Sequence, residues 1–261
     1  MDLNLEGRHA LVCGASEGIG RAAAGELAAL GATVTVLSRR EDALREVVAS
    51  LAGGADRGHA LAVADSDDIA ALGTAVQAVV ARAPVHILVN NTGGPPGGPA
   101  HAAALEEFET AFRRHLLANQ TLVQAVLPGM RGARWGRIVN VVSTSVREPI
   151  AGLGVSNTIR GAVASWAKTL SRELAPEGIT VNNVLPGFTE TGRIHAIIAD
   201  RSAKEGRSEA DVRRDMEAMI PARRFATPDE TGGVIAFLCS PAAAYVNGVS
   251  LAVDGGRMAS I

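Results

Sequence analysis

The chain has 261 residues, of which 47% are hydrophobic and 29 are glycine, so it fits one α/β domain with a sizeable core and excludes a disordered chain. Its 25 basic and 27 acidic residues give a net charge of −2, which offers no reason to expect nucleic acid or an anionic membrane as a partner. The two cysteines lie far apart in the sequence and have no metal-binding spacing, which favours a reduced protein without a metal site. We expect the protein to be cytoplasmic, because no apolar run has membrane-spanning length and the N-terminus does not resemble a signal peptide.

Strand and helix patterns alternate along the chain. Strands are predicted at 10–13, 33–37, 60–63, 86–90, 137–142, 179–184 and 249–253. Helices are predicted at 18–30, 41–52, 66–82, 104–130, 154–175 and 228–239. The alternation predicts a parallel sheet, and the continuous apolar strand runs predict strands buried on both faces. We therefore expect residues 1–261 to form a single doubly wound, Rossmann-type α/β domain of about seven strands, with helices on both faces.

A glycine-rich turn at residues 13–20, Cys-Gly-Ala-Ser-Glu-Gly-Ile-Gly, joins the first strand to the first helix. Its glycines allow a tight turn and let a phosphate approach the backbone, and the helix start offers free N–H groups. The spacing differs from the commonest dinucleotide fingerprint, and a turn needed only for packing would look similar. Its position between a first strand and an amphipathic helix nevertheless predicts dinucleotide binding.

Further motifs follow the turn in order along the chain. They are Asp65, Asn90-Asn91-Thr92-Gly93, Ser143, Pro186-Gly187 with Thr191, and Asp254-Gly255-Gly256. Together with the turn they resemble the short-chain dehydrogenase/reductase family over residues 4–257, and within it the 3-oxoacyl-(acyl-carrier-protein) reductase-like members. The resemblance implies an NAD(P)-dependent oxidoreductase acting on a carbonyl/alcohol pair. It also implies a homo-oligomer, a dimer or tetramer, that pairs through helices 104–130 and 154–175 and the C-terminal segment.

The resemblance places the cofactor against residues at the carboxyl ends of the strands. These are Gly14, Ser16, Glu17, Gly18, Ile19, Gly20, Ser38, Arg39, Arg40, Asp65, Asn91, Gly93, Pro186, Gly187, Thr189 and Thr191. No acid occurs at 37–40, and Arg39 can pair with a phosphate through two N–H groups, so NADP(H) is favoured over NAD(H). Glu17 in the turn and two acids directly after the arginines weaken this preference and leave NAD(H) open. The acidic segment 65–68 is expected to contact adenine and cap the third helix rather than hold a metal.

The catalytic positions of the family are altered in this chain. The family's reductases carry a Ser, a Tyr thirteen residues later and a Lys four residues beyond the Tyr. Ser143 fits the first position, but the other two are occupied by Ser156 and Arg160, and no Tyr or Lys occurs between 143 and 165. The only tyrosine, Tyr245, lies near the last strand, where the family often carries an aromatic for packing, so it is not expected to replace the missing acid.

The proton path must therefore differ from that of the family. An aliphatic hydroxyl is a much weaker acid than a phenol, and arginine stays protonated, so neither replacement moves a proton as Tyr and Lys do. The family's supporting Asn falls on His115, with Asn119 one turn further on. A histidine titrates near working pH. We expect a catalytic set of Ser143, Ser156, Arg160 and His115, in which Ser143 polarises the carbonyl and water or His115 carries the proton.

Two other functions stay open at this stage. A non-catalytic dinucleotide-binding protein or partner subunit would keep the cofactor motifs without a proton donor. A lyase, isomerase or hydrolase would use Ser143, Ser156 and His115 without redox chemistry. The charged segment 192–224 is predicted to be a helical insertion, either a solvated hairpin or a mobile substrate lid. With the loop 93–99 it is expected to line the site of a small-molecule or acyl-type substrate that the sequence does not identify.

Overall fold

The computed structural model describes residues 1–260, and within them seven parallel strands form one sheet. The strands are β1 (His9–Cys13), β2 (Thr33–Ser38), β3 (Ala60–Val63), β4 (Ile87–Asn90), β5 (Gly136–Val141), β6 (Ile179–Pro186) and β7 (Ser250–Val253). Their order in the sheet is β3-β2-β1-β4-β5-β6-β7, and every pairing is parallel. The predicted doubly wound Rossmann-type fold is confirmed.

Helices cover both faces of this sheet. They are α1 (Gly18–Ala29), α2 (Glu41–Ser50), α3 (Ile69–Arg82), α4 (Leu105–Phe112), α5 (Ala118–Ala133), α6 (Gly154–Leu174), α7 (Gly192–Glu205), α8 (Glu209–Ala218) and α9 (Pro228–Cys239). One face buries apolar side chains of α1, α2 and α9, and the other buries those of α3, α5 and α6. Across residues 1–260, none of the helices combines the length and the apolar character that a bilayer crossing demands.

Two predicted helices differ from the observed ones for identifiable reasons. The third begins at 69 rather than 66, because the Asp68 carboxylate accepts a hydrogen bond of 2.9 Å from the N–H of Ala71 and caps the helix. The predicted helix 104–130 is interrupted by a π-helical turn, Arg113–Leu117, which separates α4 from α5. Such single π-turns within α-helices are frequent at functional sites.

The prediction that all strands are buried on both faces is wrong for the two edge strands. The residues of β1, β4 and β5 are buried throughout, whereas those of β3 and β7 are partly exposed. An edge strand has a neighbour on one side only and lies at the margin of the covering helices.

A ladder of buried amides crosses the carboxyl half of the sheet. In register on neighbouring strands, Asn90 donates to Asn140 over 2.8 Å and Asn140 donates to Asn183 over 3.0 Å. Asn183 then donates to the hydroxyl of Ser250 on β7 over 3.1 Å. Because buried amides need their partners, this ladder fixes the relative heights of β4 to β7, on whose ends the site is built.

The segment 192–224 contains α7 and α8 and has a small apolar core of its own. That core consists of Ile194, Ile198, Val212, Met216, Ile220 and Phe225, with Phe188 packed against it. Arg213 ties the pair to the preceding loop through Glu190, at 2.5 Å. The insertion is thus an ordered helical pair anchored beside the carboxyl end of β6.

Candidate functional site

Two adjoining clefts open at the carboxyl ends of the strands. The first, of about 420 Å³, lies over β1, β2 and β3, and the second, of about 340 Å³, lies over β4, β5 and β6. The two share Gly14, Glu17, Asn91, Thr92 and Gly93 along their walls. Their meeting point lies between β1 and β4, where the strand order reverses, which is the place where open α/β sheets bind ligands.

The glycine-rich turn forms the floor between the clefts. Gly14 and Gly18 have φ of +58° and +56°, in the left-handed region that favours glycine. A Cβ on Gly20 would lie 2.3 Å from the carbonyl oxygen of Gly14, so this position has no room for a side chain. Asn91 donates from Nδ2 to that same carbonyl over 3.2 Å and holds the turn against the end of β4.

The start of α1 is available to an anion. Glu17 occupies the N-cap position, and its side chain makes no capping hydrogen bond. The N–H groups of the first helical turn therefore point outward with the positive end of the helix dipole, as a pyrophosphate requires. This open helix start and the closely packed glycines fit a dinucleotide.

The loop after β6 closes the second cleft against the turn. Pro186, Gly187, Thr189 and Thr191 all line this cleft. A Cβ on Gly18 would lie 3.0 Å from Cγ2 of Thr191, so the two cofactor motifs meet although they are far apart in sequence. These predicted residues therefore surround one continuous site.

Two arginines stand at the outer wall of the first cleft, each near a carboxylate. Arg40 contacts Glu17 at 2.6 Å and Ser16 at 3.2 Å, whereas Arg39 lies 3.6 Å from Asp65. All these charged groups are substantially exposed. The arginines that favour a 2′-phosphate and the acids that oppose it are thus direct neighbours, so the first cleft has a weaker positive charge than its arginines alone suggest.

The two candidate serines face the second cleft. Ser143 lies two residues after the end of β5 and accepts a hydrogen bond of 3.1 Å from the N–H of Ser145, which caps a short turn. Ser156 lies in the first turn of α6, and its hydroxyl makes no hydrogen bond to another of residues 1–260. Both hydroxyls therefore reach the same cavity, and that of Ser156 is free to bind a substrate or a water molecule.

Arg160 is a buried cation in the wall of the second cleft. It is 8% exposed, and its guanidinium donates to the carbonyl of Val141 over 2.7 Å and to that of Thr92 over 3.3 Å. Burial and the nearby positive charge of Arg193 lower the pKa of Arg160 to about 10, so it remains protonated at neutral pH. Within residues 1–260 no carboxylate pairs with it, although a buried charge is normally stable only when compensated.

His115 lies in the π-helical turn and does not reach the serines. Its Nδ1 is 2.6 Å from the hydroxyl of Thr92, while its buried Nε2 has no partner among the described residues. Burial, with the charges of Arg160 and Arg114, lowers the pKa of His115 to about 2. The structure thus corrects the expected proton path, because this imidazole is neutral at working pH and lies outside the walls of both clefts.

Protonation of His115 should couple folding to pH. The unfolded chain binds a proton near pH 6.5 and the fold does not, so the free energy of unfolding falls as pH decreases below 6.5. One such group gives a slope of up to about 1.4 kcal/mol per pH unit. We expect His115→Gln to show a shallower loss of stability than the wild type between pH 7 and pH 5 in urea denaturation.

The exposed His101 provides the control for this experiment. His101→Gln should keep the wild-type slope, and His9 and His86, whose pKa values burial also lowers, contribute equally to all three proteins. Equal slopes in the wild type and His115→Gln would contradict a neutral, buried imidazole.

Neither Tyr245 nor Lys168, a lysine of α6, lines either cleft. Tyr245 is fully exposed, so it does not pack within the part of the chain that the structure describes. Lys168 donates to the carbonyl of Gly248 over 3.0 Å, away from both clefts. Sequence reasoning instead missed Thr92, Arg193 and Arg257, each of which stands beside or within a motif that it had identified.

Comparison with known proteins agrees with this geometry. Residues 14–257 match the family model described as Enoyl-(Acyl carrier protein) reductase. The chain is 36% identical over 254 residues to the 3-oxoacyl-(acyl-carrier-protein) reductase FabG of Vibrio cholerae, covering 97% of this chain and 98% of that protein.

Solved structures show the same similarity. L-sorbose reductase from Gluconobacter frateurii, complexed with NADPH and L-sorbose, matches with a TM-score of 0.92 and 28% identity over the whole of both chains. A variant of actinorhodin polyketide ketoreductase with NADPH matches with a TM-score of 0.89 and 31% identity, covering 97% of this chain and 98% of that one. The resemblance inferred from the motifs is confirmed: the chain belongs to the short-chain dehydrogenase/reductase family and is an NAD(P)-dependent oxidoreductase.

Proposed function

We propose that this protein is an NADP(H)-dependent reductase of a small carbonyl compound that works with Ser143, Ser156 and Arg160 in place of the family's Ser, Tyr and Lys. The observation that carries the proposal is the convergence of these three side chains on the second cleft, which continues directly into the glycine-rich turn. A volume of about 340 Å³ favours a small substrate over a long acyl chain.

The cofactor would be held along both clefts. The N–H groups at the start of α1 would bind the pyrophosphate, and Arg39 and Arg40 would face the 2′-phosphate. The NADPH in the two related structures supports this preference over NAD(H). When bound, NADPH supplies the hydride that reduces the carbonyl carbon.

The residues of the second cleft would handle the oxygen and the proton. The hydroxyl of Ser143 would donate a hydrogen bond to the carbonyl oxygen, and the positive charge of Arg160 would stabilise the negative charge that develops there. The free hydroxyl of Ser156 would hold a water molecule that gives a proton to the alkoxide, and the hydroxide left behind would take up a proton from bulk solvent. Loss of a general acid typically costs about 10²–10⁴ in rate, so we expect slow turnover.

His115 is assigned a positioning role in this scheme. It bonds the side chain of Thr92, whose carbonyl accepts from Arg160. It therefore fixes the loop after β4 against the buried cation. The same placement argues against a lyase, isomerase or hydrolase that would need the imidazole beside Ser143 or Ser156.

The test is oxidation of NADPH with a panel of small ketones and aldehydes, followed at 340 nm, together with titration of NADPH binding. Turnover that falls at least about 100-fold in Ser143→Ala, with NADPH affinity retained, would support the proposal. Tight NADPH binding without turnover of any carbonyl would overturn it in favour of a binding protein or partner subunit.

Cofactor selectivity gives a separate prediction. Arg39→Gln combined with Arg40→Gln should raise the Kd for NADP⁺ about 10-fold or more at low salt, because charge-assisted contacts to the 2′-phosphate are lost. The Kd for NAD⁺ should change less than about threefold, since exposed ion pairs contribute little. Calorimetric titration of both cofactors checks this, with Arg45→Gln on the exposed face of α2 as control. An equal loss of affinity for both cofactors would show that the two arginines do not bind the 2′-phosphate.

Self-association is also proposed. Several large apolar side chains are exposed on the single chain, among them Leu105, Phe112, Tyr245 and Leu251. All four lie in α4, in β7 or in the segment just before β7, where the family resemblance places the subunit contacts. We propose that the protein forms a dimer or tetramer in the cytoplasm, which sedimentation of the purified protein tests. We also propose that the α7–α8 pair acts as the substrate lid.

A further inference from the structure

Three arginines surround the second cleft and come from three different parts of the chain. Arg160 belongs to α6, Arg193 to α7, and Arg257 follows β7. Arg193 donates from Nη2 to the carbonyl of Pro95 over 3.0 Å. The guanidinium of Arg257 packs on the ring of Phe188, 4.4 Å from its centroid.

Two of these cations approach each other closely. A Cβ on Gly94, in the loop after β4, would lie 3.8 Å from Nη2 of Arg193 and 3.9 Å from Nη2 of Arg160. The two Nη2 atoms are therefore less than about 8 Å apart, and like charges repel at this range. After burial, the charge of Arg193 is the second cause of the lowered pKa of Arg160. An arrangement that brings cations together is stable when an anion occupies the space between them.

No counter-charge from the described residues 1–260 pairs with these three guanidinium groups. Among residues 1–260, Glu17 alone brings a carboxylate to the wall of this cleft, and it pairs with Arg40. Glu148 lies near Arg257, but its carboxylate accepts from the N–H of Ser260 over 2.6 Å.

Two other arginines of the segment 192–224 behave differently. Arg207 pairs with Glu205 and Asp215, and Arg213 pairs with Glu190 and Glu217. The three cleft arginines thus differ from these two, each of which faces two carboxylates.

The pyrophosphate of the cofactor does not account for Arg257. The pyrophosphate site lies at the start of α1, beside β1, whereas Arg257 is fixed at the end of β7 by its contact with Phe188. The strands β4, β5 and β6 separate the two positions in the sheet.

We propose that the substrate carries an anionic group, a carboxylate or a phosphate, that Arg193 and Arg257 bind in the second cleft. The inference rests on the proposed function and names the substrate class of that site. Arginine suits this role because its planar fork donates two parallel hydrogen bonds to a carboxylate or phosphate. Arg160 adds to the positive potential but stays bonded to the carbonyls of Val141 and Thr92.

The test measures binding and does not require turnover. Pyruvate, acetoacetate and levulinate are each titrated against the NADP⁺-loaded protein beside their methyl esters, and dihydroxyacetone phosphate is titrated beside dihydroxyacetone. At least one anion should bind about 10-fold or more tightly than its neutral partner. The carboxylate and phosphate arms distinguish the two kinds of anion.

Variants assign the effect to the arginines. Arg193→Gln and Arg257→Gln should each reduce the preference for the anion about 10-fold, whereas Arg214→Gln, an exposed arginine of α8, should leave it unchanged. Equal binding of every anion and its neutral partner, or none at all, would overturn the proposal. So would a loss of NADP⁺ affinity in Arg193→Gln with an unchanged anion preference, which would assign Arg193 to the cofactor.

This outcome is separable from that of the proposed function. If anions bind selectively but no carbonyl compound oxidises NADPH, the proposed reduction fails and the anion site stands. If neutral ketones are reduced as well as oxo acids, the reduction stands and the anion site fails.

Discussion

Gly20→Ala is expected to abolish binding of the dinucleotide. The new Cβ would lie 2.3 Å from the carbonyl oxygen of Gly14 and 2.7 Å from Nδ2 of Asn91, distances that no real Cβ tolerates. The turn or the start of α1 must move, and the N–H groups that would hold the pyrophosphate move with it. We expect the Kd for NADP⁺ to rise at least about 100-fold and the free energy of unfolding to fall by about 1–3 kcal/mol.

Gly25 offers a matched control on the same helix. A Cβ there meets nothing within 4 Å, so Gly25→Ala should stabilise the protein by about 0.5–1 kcal/mol through helix propensity and leave NADP⁺ binding unchanged. Urea denaturation of both variants measures the change in stability, and calorimetric titration measures the Kd for NADP⁺. If Gly20→Ala binds NADP⁺ as tightly as Gly25→Ala, the close-packed turn is not the cofactor cradle.

Arg160→Met is expected to cause the second large loss. Methionine preserves much of the apolar volume but removes the charge and leaves the carbonyls of Val141 and Thr92 without their donors. The buried carbonyl of Val141, left unpaired, costs about 1–3 kcal/mol, so a drop in the free energy of unfolding of this order is expected. Without the cation beside the carbonyl oxygen, kcat/KM should fall about 10²–10³-fold.

Arg160→Lys tests the positive charge of Arg160 separately from the shape of its guanidinium group. Lysine can reach one of the two carbonyls and keeps a positive charge, so its activity should lie between those of the wild type and Arg160→Met. Because burial lowers a lysine pKa readily, the variant should lose activity as pH rises through a range where the wild type is flat. A pH profile identical to that of the wild type, with kcat/KM unchanged in both variants, would refute a role for this charge in the reaction.

Much of the fold was readable because it depends on local pattern. The β-branched runs and helical periods placed the strands within two residues of their observed bounds and α9 at its observed bounds. The tight turn at Gly14–Gly20 was readable for the same reason, since its glycines are consecutive landmarks between a strand and a helix. The interruption of the helix at His115 was not, because a π-turn leaves no distinct periodicity over five residues.

The catalytic positions could likewise be predicted from the sequence only in part. The sequence by itself determined that Ser156 and Arg160 occupy the positions thirteen and seventeen residues after Ser143, and that the single tyrosine lies elsewhere. These positions could be read from the sequence because the family's spacing between catalytic residues is a count along the chain. Only the tertiary structure decided that Arg160 is a buried cation with which no carboxylate of residues 1–260 pairs, that His115 is neutral, and that Arg193 and Arg257 join the same cleft. Burial and charge pairing depend on contacts such as Arg160 with Thr92, 68 residues away, and Arg193 with Pro95, 98 residues away, which no local pattern encodes.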